Sequence, residues 1–252
     1  MKIALIGASG QVGSRLLKEL SDRGHTITAI ARNPDKIAAL PGVTAKKGDV
    51  FDRDGLAALI KGHDAVISAV HFLDSDPDTL IAAVRASGVK RYLVVGGAGS
   101  LDVAPGKRLV DTPTFPAIYK AEAQKGADFL DTLRTIDDLD WTLLSPSALF
   151  LPGERTGKYR IGKDTLLTSD TGSSISFEDY AIVMTDEIEK PAHIRQRFTV
   201  GYRPDCRHWR QMPSEPPMAL SFSSVSTPAA GLRNLARKTV RIGTEYGRQE
   251  QR

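Results

Sequence analysis

A glycine-rich turn near the start of the chain constrains the fold more than any other feature of the sequence. Residues 2–6 form a short apolar run that predicts a strand, and residues 11–23 carry leucines at helical spacing that predict a helix. The segment that joins them reads Gly7-Ala8-Ser9-Gly10-Gln11-Val12-Gly13. So short a connection needs glycine, because glycine adopts positive φ and allows close backbone approach without strain. The sequence therefore predicts a strand–turn–helix unit here.

Short apolar runs and longer helical patterns alternate through about the first 200 residues. Strands are predicted at residues 2–6, 25–30, 43–47, 65–69, 91–95, 141–144 and 197–200, with a further short strand at 164–167. Helices are predicted at residues 11–23, 34–40, 52–61, 79–87, 119–136 and 177–190. This alternation predicts an α/β fold of the Rossmann type, a doubly wound parallel sheet with helices on both faces. A small C-terminal substrate-side region completes the expected architecture.

The composition changes after Tyr202. Residues 203–252 hold nine Lys and Arg against four Asp and Glu, and four prolines fall within 203–226. We therefore expect one domain over residues 1–202, in which about 145–202 form the substrate-side region. Residues 203–252 are expected to be a basic tail that is disordered or foreign to the natural protein, with docking as ordered structure a third possibility. Because the net charge of +4 arises in this segment, it does not indicate a nucleic-acid-binding body, and no nucleic-acid motif is present.

Several classes of protein are excluded or disfavoured by composition. No apolar run reaches the roughly 18 residues that a transmembrane helix needs, and the N-terminus lacks the apolar stretch of a signal peptide. The single cysteine, Cys206, excludes an internal disulfide framework and a cysteine-based metal cluster. The sequence thus predicts a cytoplasmic protein without a metal, and it leaves the oligomeric state open.

The glycine turn has the spacing of a dinucleotide-phosphate site. In that role Gly7 permits the tight turn, Gly10 lets the backbone approach a pyrophosphate, and Gly13 lets the helix pack closely. The N–H groups at the helix start would then face the phosphates along the helix dipole. We therefore predict that NAD(P) is bound by seven consecutive residues: Gly7, Ala8, Ser9, Gly10, Gln11, Val12 and Gly13. A purely structural turn is the alternative.

The ends of the next strands extend this prediction. Strand two ends without the carboxylate that binds the ribose of NAD, and it offers Arg32, which favours the 2′-phosphate of NADP; NAD remains possible because Asp35 lies nearby. Asp49 and Val50 follow strand three, where an acidic side chain can meet the adenine, although Asp49 could instead cap the next helix. Ala69 and Val70 follow strand four, where the chain passes the nicotinamide ribose.

Three further residues are predicted to border a substrate pocket at the same edge of the sheet. His71 follows Val70, although a plain surface histidine is the alternative. Gly97 lies at the start of the segment 96–116. This segment holds four glycines and three prolines and could close over the site as a lid. Ser147 follows strand six.

With these residues in hand, the chain resembles the atypical short-chain dehydrogenase/reductases. More narrowly, it is similar to the NmrA-like NAD(P)H-binding group, which includes bacterial NADH-flavin reductases and flavin/biliverdin-IXβ reductases. The resemblance covers about residues 1–202 and rests on several stretches: Ile6-Gly7-Ala8-Ser9-Gly10 with Gly13, Ala31-Arg32-Asn33-Pro34, Lys47-Gly48-Asp49-Val50, Gly62-His63-Asp64-Ala65-Val66-Ile67, Val95-Gly96-Gly97-Ala98-Gly99-Ser100, Leu144-Ser145-Pro146-Ser147 and Ile175-Ser176-Phe177-Glu178-Asp179-Tyr180. It implies a Rossmann fold and a nicotinamide cofactor, and it says little about the substrate.

The resemblance also directs attention to catalytic residues. Typical members of the wider superfamily use a serine after strand five and a Tyr-x-x-x-Lys pair on the next helix, whose lysine lowers the pKa of the tyrosine. Here Ser100 and Tyr119 stand at fitting positions, but Ala123 stands where the lysine would be. We keep Ser100 and Tyr119 as the candidate catalytic residues, although Tyr119 could serve only to anchor the helix start.

The missing lysine favours chemistry that needs less acid–base help. Hydride transfer to a flavin, a quinone or a similar conjugated acceptor requires mainly orientation and a flat apolar pocket. The sequence therefore predicts an NAD(P)H-dependent reductase whose partner is a small-molecule acceptor, with neither a nucleic acid nor a membrane. A non-catalytic NAD(P)-sensing regulator of the NmrA type is the main alternative. A nucleotide-sugar epimerase or dehydratase is less favoured, since such enzymes usually retain Tyr-x-x-x-Lys.

Overall fold

The central feature of the computed structural model, which describes residues 1–203, is an eight-stranded sheet. Its strands lie in the order β10-β12-β8-β5-β4-β1-β2-β3, and every pairing is parallel except that of β10 with β12. These strands are β1 (Lys2–Ile6), β2 (Thr26–Ala31), β3 (Val43–Lys47), β4 (Ala65–Ser68), β5 (Arg91–Val95), β8 (Asp140–Ser145), β10 (Arg160–Gly162) and β12 (Gln196–Gly201).

The helices cover both faces of this sheet. They are α1 (Gln11–Asp22), α2 (Arg53–Ile60), α3 (Pro77–Ser87), α4 (Ala117–Arg134) and α5 (Phe177–Glu189). Apolar side chains of α1 and α5 form one core with the sheet, and those of α2, α3 and α4 form another. The predicted doubly wound fold is thereby confirmed. None of the helices in the described part is long and apolar enough to cross a membrane.

Helix ends follow local side-chain chemistry. The carboxylates of Asp52 and Asp76 accept backbone N–H groups at the starts of α2 and α3, and Ser176 does the same for α5. Gly88 ends α3 at φ 80°, the left-handed conformation that favours glycine. Most predicted bounds therefore lie within one or two residues of the observed ones.

Two predicted elements are wrong. Residues 164–167 do not form a strand, since Thr165 makes only an isolated bridge to Asp102 and the strand lies earlier, at β10. The predicted helix at 34–40 is only a 3₁₀ turn, Pro34–Lys36, because the Asn33 side chain accepts the N–H of Asp35 and the chain extends again at Ile37. Both segments are too short for hydrophobic spacing to distinguish a regular element from a turn.

Besides β10, four short strands were not predicted from the sequence. Within residues 96–116, β6 (Asp102–Ala104) pairs antiparallel with β7 (Lys107–Arg108), and a 3₁₀ turn follows at Leu109–Asp111. Farther along, β9 (Leu149–Leu151) pairs parallel with β11 (Ser174–Ser176). A strand of two or three residues is too short to show the alternation of apolar and polar residues from which strands are predicted. The expected tail lies outside the described residues from residue 204 onward, as does Cys206.

Candidate active site

A cavity of about 720 Å³ opens at the carboxyl ends of the parallel strands. It lies where the strand order reverses between β1 and β4, the position at which open α/β sheets bind ligands. The segments after β1, β2, β3, β4, β5 and β8 contribute to its lining, together with the start of α4. The sheet topology thus brings distant parts of the chain to one site.

Two glycines of the turn are required by the backbone itself. Gly7 has φ 82°, and a Cβ placed there would lie 2.4 Å from the carbonyl oxygen of Ala69, just after β4. A Cβ on Gly13 would lie 2.1 Å from the carbonyl oxygen of Gly7, so α1 packs directly onto the turn. These contacts confirm that the turn needs glycine at both positions.

Gly10 has a different role. The nearest atom to a Cβ added there is the Gly7 oxygen at 3.2 Å, and Gly10 itself lines the cavity. A side chain at this position would therefore extend into space that a ligand can fill. Ser9, Gln11 and Val12 line the cavity beside it, whereas the buried Ala8 is not among the lining residues.

The start of α1 is free to hold an anion. Unlike α2, α3 and α5, α1 has no side-chain cap, and no acidic residue lies in its first turn. Its first N–H groups therefore point out with the positive end of the helix dipole and no side chain to satisfy them. This arrangement fits the pyrophosphate of a dinucleotide.

Arg32 lies at the β2 side of the cavity. Its side chain is 80% exposed, and its Nη2 is 4.0 Å from Oδ2 of Asp74, which also lines the cavity. The guanidinium is thus available to a phosphate, with Asp74 as a weak competing partner. Val50 lines the cavity as predicted, but Asp49 does not: its Oδ1 accepts the N–H of Phe51 in a local turn.

The segment after β4 is tied to α4 by one carboxylate. Ala69, Val70 and His71 line the cavity as predicted. Glu122 accepts the N–H groups of Phe72 at 2.8 Å and Leu73 at 2.9 Å, and its Oε1 lies 3.3 Å from Nδ1 of His71. Glu122 was not predicted from the sequence, although it lies one helical turn after Tyr119 and so shares its helix face.

The two candidate catalytic residues lie apart. Tyr119 lines the cavity and is 47% exposed, and Ala123, at the position of the missing lysine, lines it as well. Ser100 is buried and is not a lining residue; its Oγ lies 3.4 Å from Nη1 of Arg197. The structure therefore supports Tyr119 as a pocket residue and places Ser100 outside the pocket.

The other predicted pocket residues divide in the same way. Gly97 lines the cavity. Ser147 is fully buried, and its hydroxyl donates to the carbonyl oxygen of Val200, so Pro146 and Ala148 line the cavity instead. The prediction that Ser147 borders the pocket was therefore wrong, and the residues on either side of it line the cavity. The side chain of Ser147 instead points into the packing between β8 and β12.

Five aromatic side chains line the cavity, and we call them the aromatic lining: Phe72, Phe115, Tyr119, Phe150 and Phe177. Phe150 and Phe177 meet edge to face, with ring centroids 4.6 Å apart. Among the described residues that line the whole cavity, the titratable acids and bases other than tyrosine are Arg32, His71, Asp74 and Glu122.

Comparisons with known proteins agree with this geometry. A family model described as NAD(P)H-binding matches residues 7–191. The Bacillus subtilis protein YwnB is 44% identical over 211 residues, which are 79% of this chain and 98% of that protein.

Three solved structures share the fold over about four fifths of the chain. A Burkholderia pseudomallei protein provisionally named as exported is 47% identical, with TM-score 0.73, over 80% of this chain and 100% of its own. A Bacteroides thetaiotaomicron protein provisionally named as an epimerase is 45% identical, with TM-score 0.77, over 80% and 96%. A Streptococcus pneumoniae protein provisionally named as an NADH-flavin reductase is 40% identical, with TM-score 0.68, over 81% and 100%. By its glycine turn, its fold and the match over residues 7–191, the chain belongs to the NAD(P)H-binding family of Rossmann-fold proteins.

Proposed function

We propose that this protein is an NAD(P)H-dependent reductase of a flat conjugated acceptor such as a quinone or a flavin, with NADPH as its preferred cofactor. The observation that carries the proposal is the aromatic lining of the cavity, which the glycine turn also lines and which has Ala123 in place of a catalytic lysine. Aromatic walls bind a planar apolar ring, and hydride transfer to such an acceptor does not need a tyrosine–lysine pair.

The residues of the chain have distinct tasks in this proposal. When bound, NAD(P)H supplies the hydride. The N–H groups at the start of α1 hold the pyrophosphate, and Arg32 binds the 2′-phosphate that distinguishes NADPH from NADH. The aromatic lining orients the acceptor and excludes water from it. Tyr119, which lines the cavity and is partly exposed, can stack on the acceptor or donate a hydrogen bond to it.

Two other functions compete with this one. A non-catalytic NAD(P) sensor would use the same phosphate cradle, and the absent tyrosine–lysine pair suits it equally well. An epimerase is suggested by the name of the Bacteroides protein. Arg32 is the one Lys or Arg among the described lining residues. If Arg32 binds the cofactor, the described lining offers no further Lys or Arg for the diphosphate of a nucleotide sugar.

A titration followed by a turnover assay separates these functions. Protein fluorescence is titrated with NADPH and NADH, and NADPH oxidation is then followed by its absorbance with menadione and FMN as acceptors. Tight NADPH binding with acceptor-dependent oxidation supports the reductase. Tight binding without turnover over a broad acceptor panel favours the sensor, and interconversion of sugar epimers would favour the epimerase.

The compartment is part of the proposal as well. A reductase that draws on the cytoplasmic nicotinamide pool is expected in the cytoplasm, whereas the Burkholderia neighbour carries the name of an exported protein. Fractionation of cells that express the natural gene, followed by immunoblotting, tests this expectation. Recovery of the protein outside the cytoplasm would contradict it.

A further inference from the structure

The carboxylate of Glu122 determines how the imidazole of His71 is held. Its Oε1 accepts the N–H of Phe72 and its Oε2 the N–H of Leu73, so both oxygens act as acceptors. Nδ1 of His71, 3.3 Å from Oε1, must therefore carry a hydrogen and donate it. The contact fixes both the tautomer and the direction of the ring, as a carboxylate commonly does for a functional histidine.

Nε2 is consequently the nitrogen left for chemistry. Within the described part of the chain it has no hydrogen-bond partner, and His71 lines the cavity at the end of β4. The side chain is also 81% exposed. One ring thus borders both the cavity and bulk water, which is the position that a proton carrier between them requires.

We propose that His71, oriented by Glu122, is the proton donor that completes reduction of the acceptor. The inference rests on the proposed reductase function. With a quinone, the acceptor gains a hydride and NAD(P)H is oxidised to NAD(P)⁺. The Nε2–H bond of the imidazolium breaks as an O–H bond forms on the reduced quinone, and the neutral imidazole then takes a proton from water. His71 would be the catalytic residue, and Glu122 a positioning residue.

This arrangement takes over the task that the absent lysine would otherwise support. Tyr119 lies on the same helix one turn before Glu122, but the residue four positions after it is Ala123, which cannot assist ionisation of a tyrosine hydroxyl. The charged residue nearest to His71 along the sequence is Asp74, whose backbone N–H donates to the His71 carbonyl oxygen. The donor is thereby supplied from the β4 segment and not from α4.

Nitrogen NMR tests the geometry without any turnover. In ¹⁵N-histidine-labelled protein at a pH where the ring is neutral, the His71 signals should show the hydrogen on Nδ1, and His71→Gln assigns them by their loss. Glu122→Gln should weaken that preference, whereas Asp128→Asn, an acid-to-amide change on an outer part of the same helix, should leave it unchanged. A wild-type ring with its hydrogen on Nε2 would overturn the proposed orientation.

Kinetics with menadione test the role itself. His71→Gln should lower kcat about 10²-fold or more with little change in the Kd of NADPH, and added imidazole should restore part of the rate. Glu122→Gln should also lower kcat, and Asp128→Asn should not. A His71→Gln enzyme that keeps wild-type kcat, or that imidazole does not rescue, overturns this inference alone. If the wild type turns over no acceptor, the proposed function falls and this inference with it, whatever the NMR shows.

Discussion

Arg32 is the side chain on which the choice between the two nicotinamide cofactors depends. It lies just after β2 and lines the cavity, and among the described residues its one ion-pair partner is the carboxylate of Asp74 at 4.0 Å. Its guanidinium can form two parallel hydrogen bonds with a phosphate, a geometry that a ribose hydroxyl does not offer. The nearby Lys36 is exposed and does not line the cavity.

Replacing Arg32 should therefore change cofactor preference. Arg32→Ala is expected to raise the Kd of NADPH by about 10-fold or more, the effect of losing a hydrogen bond to a charged group, and to leave the Kd of NADH nearly unchanged. Lys36→Ala is the matched control and should affect neither. Fluorescence titration measures both constants. Equal losses for NADPH and NADH would show that Arg32 does not contact the 2′-phosphate.

A substitution at Gly10 tests whether the start of α1 binds the cofactor phosphates. Gly10→Val should weaken NADPH binding at least about 100-fold, because the added side chain extends into the cavity beside the α1 N–H groups. The variant should still fold but with a lowered melting temperature, since an added Cβ would lie 3.2 Å from the backbone oxygen of Gly7, closer than an ordinary van der Waals contact. Unchanged NADPH affinity in a folded variant would place the phosphates elsewhere.

At the scale of elements, a buried ion pair joins β5, β8 and α5. Nη2 of Arg91 lies 2.9 Å from Oε1 of Glu187, and the two side chains are 10% and 3% exposed. Arg91 also donates to Thr142 and to the Asp140 carbonyl oxygen, and Glu187 accepts the N–H of His193. The pair thus fixes the edge of the sheet opposite the cavity mouth.

Breaking this pair should be costly. Glu187→Ala leaves the guanidinium of Arg91 buried without its partner, so the free energy of unfolding in urea should fall by about 3–5 kcal/mol. Asp22→Ala removes the exposed pair Lys18–Asp22 and should cost about 1 kcal/mol or less. Equal effects of the two substitutions would refute the importance of burial here.

A second network joins α1 to α5 and to the segment after β9. A hydrogen bond from Arg155 holds the pKa of Glu19 below its ordinary value, against the opposite effect of burial, and Arg23 adds to the lowering. Arg23 itself bridges to Asp186 and Glu189 on α5. Because the folded-state pKa of Glu19 is depressed, its contribution to stability exists above the unfolded pKa and disappears as pH falls through the folded value.

The stability difference between wild type and Glu19→Gln should therefore depend on pH. At pH 7 the variant should unfold at lower urea concentration, because a neutral amide cannot form charged hydrogen bonds with both arginines. Below about pH 4.5, the ordinary pKa of glutamate, the two unfolding curves should converge as the wild-type carboxyl takes up a proton. A difference that stays constant from pH 7 to pH 3 would exclude this linkage.

At the scale of the whole molecule, the eight strands of the sheet and the five helices described above all lie within residues 1–203. Tyr202 donates its hydroxyl hydrogen to Asp179, and β12 ends at Gly201. The three solved neighbours are covered over 96–100% of their own length by about four fifths of this chain. The remainder is therefore expected to be dispensable for folding.

A chain that ends after Arg203 should keep the cofactor site. We expect its melting temperature to lie within about 2 °C of the full chain and its Kd for NADPH to agree within about twofold, because the contacts described above all lie within it. Thermal unfolding and fluorescence titration measure both. A large loss of either would show that residues 204–252 support the domain.

Features that depend on residues adjacent in the chain were determined by the sequence alone. The glycine turn was predictable because positive φ at Gly7 and close packing at Gly13 are requirements of the local backbone. The strands and helices of the sheet were predictable because hydrophobic periodicity reports local geometry. Arg32 followed from its place at the end of a strand.

Only the tertiary structure decided which side chains meet in the cavity. Glu122 and His71 lie 51 residues apart in the chain, and the aromatic lining draws on the segments after β4 and before α4, on α4 itself, on β9 and on α5. Ser100 and Ser147 stood at suitable sequence positions, yet Arg197 and Val200 hold their hydroxyls away from the cavity. Chain order places a residue at an edge of the sheet, but the direction of its side chain depends on partners that folding brings from elsewhere.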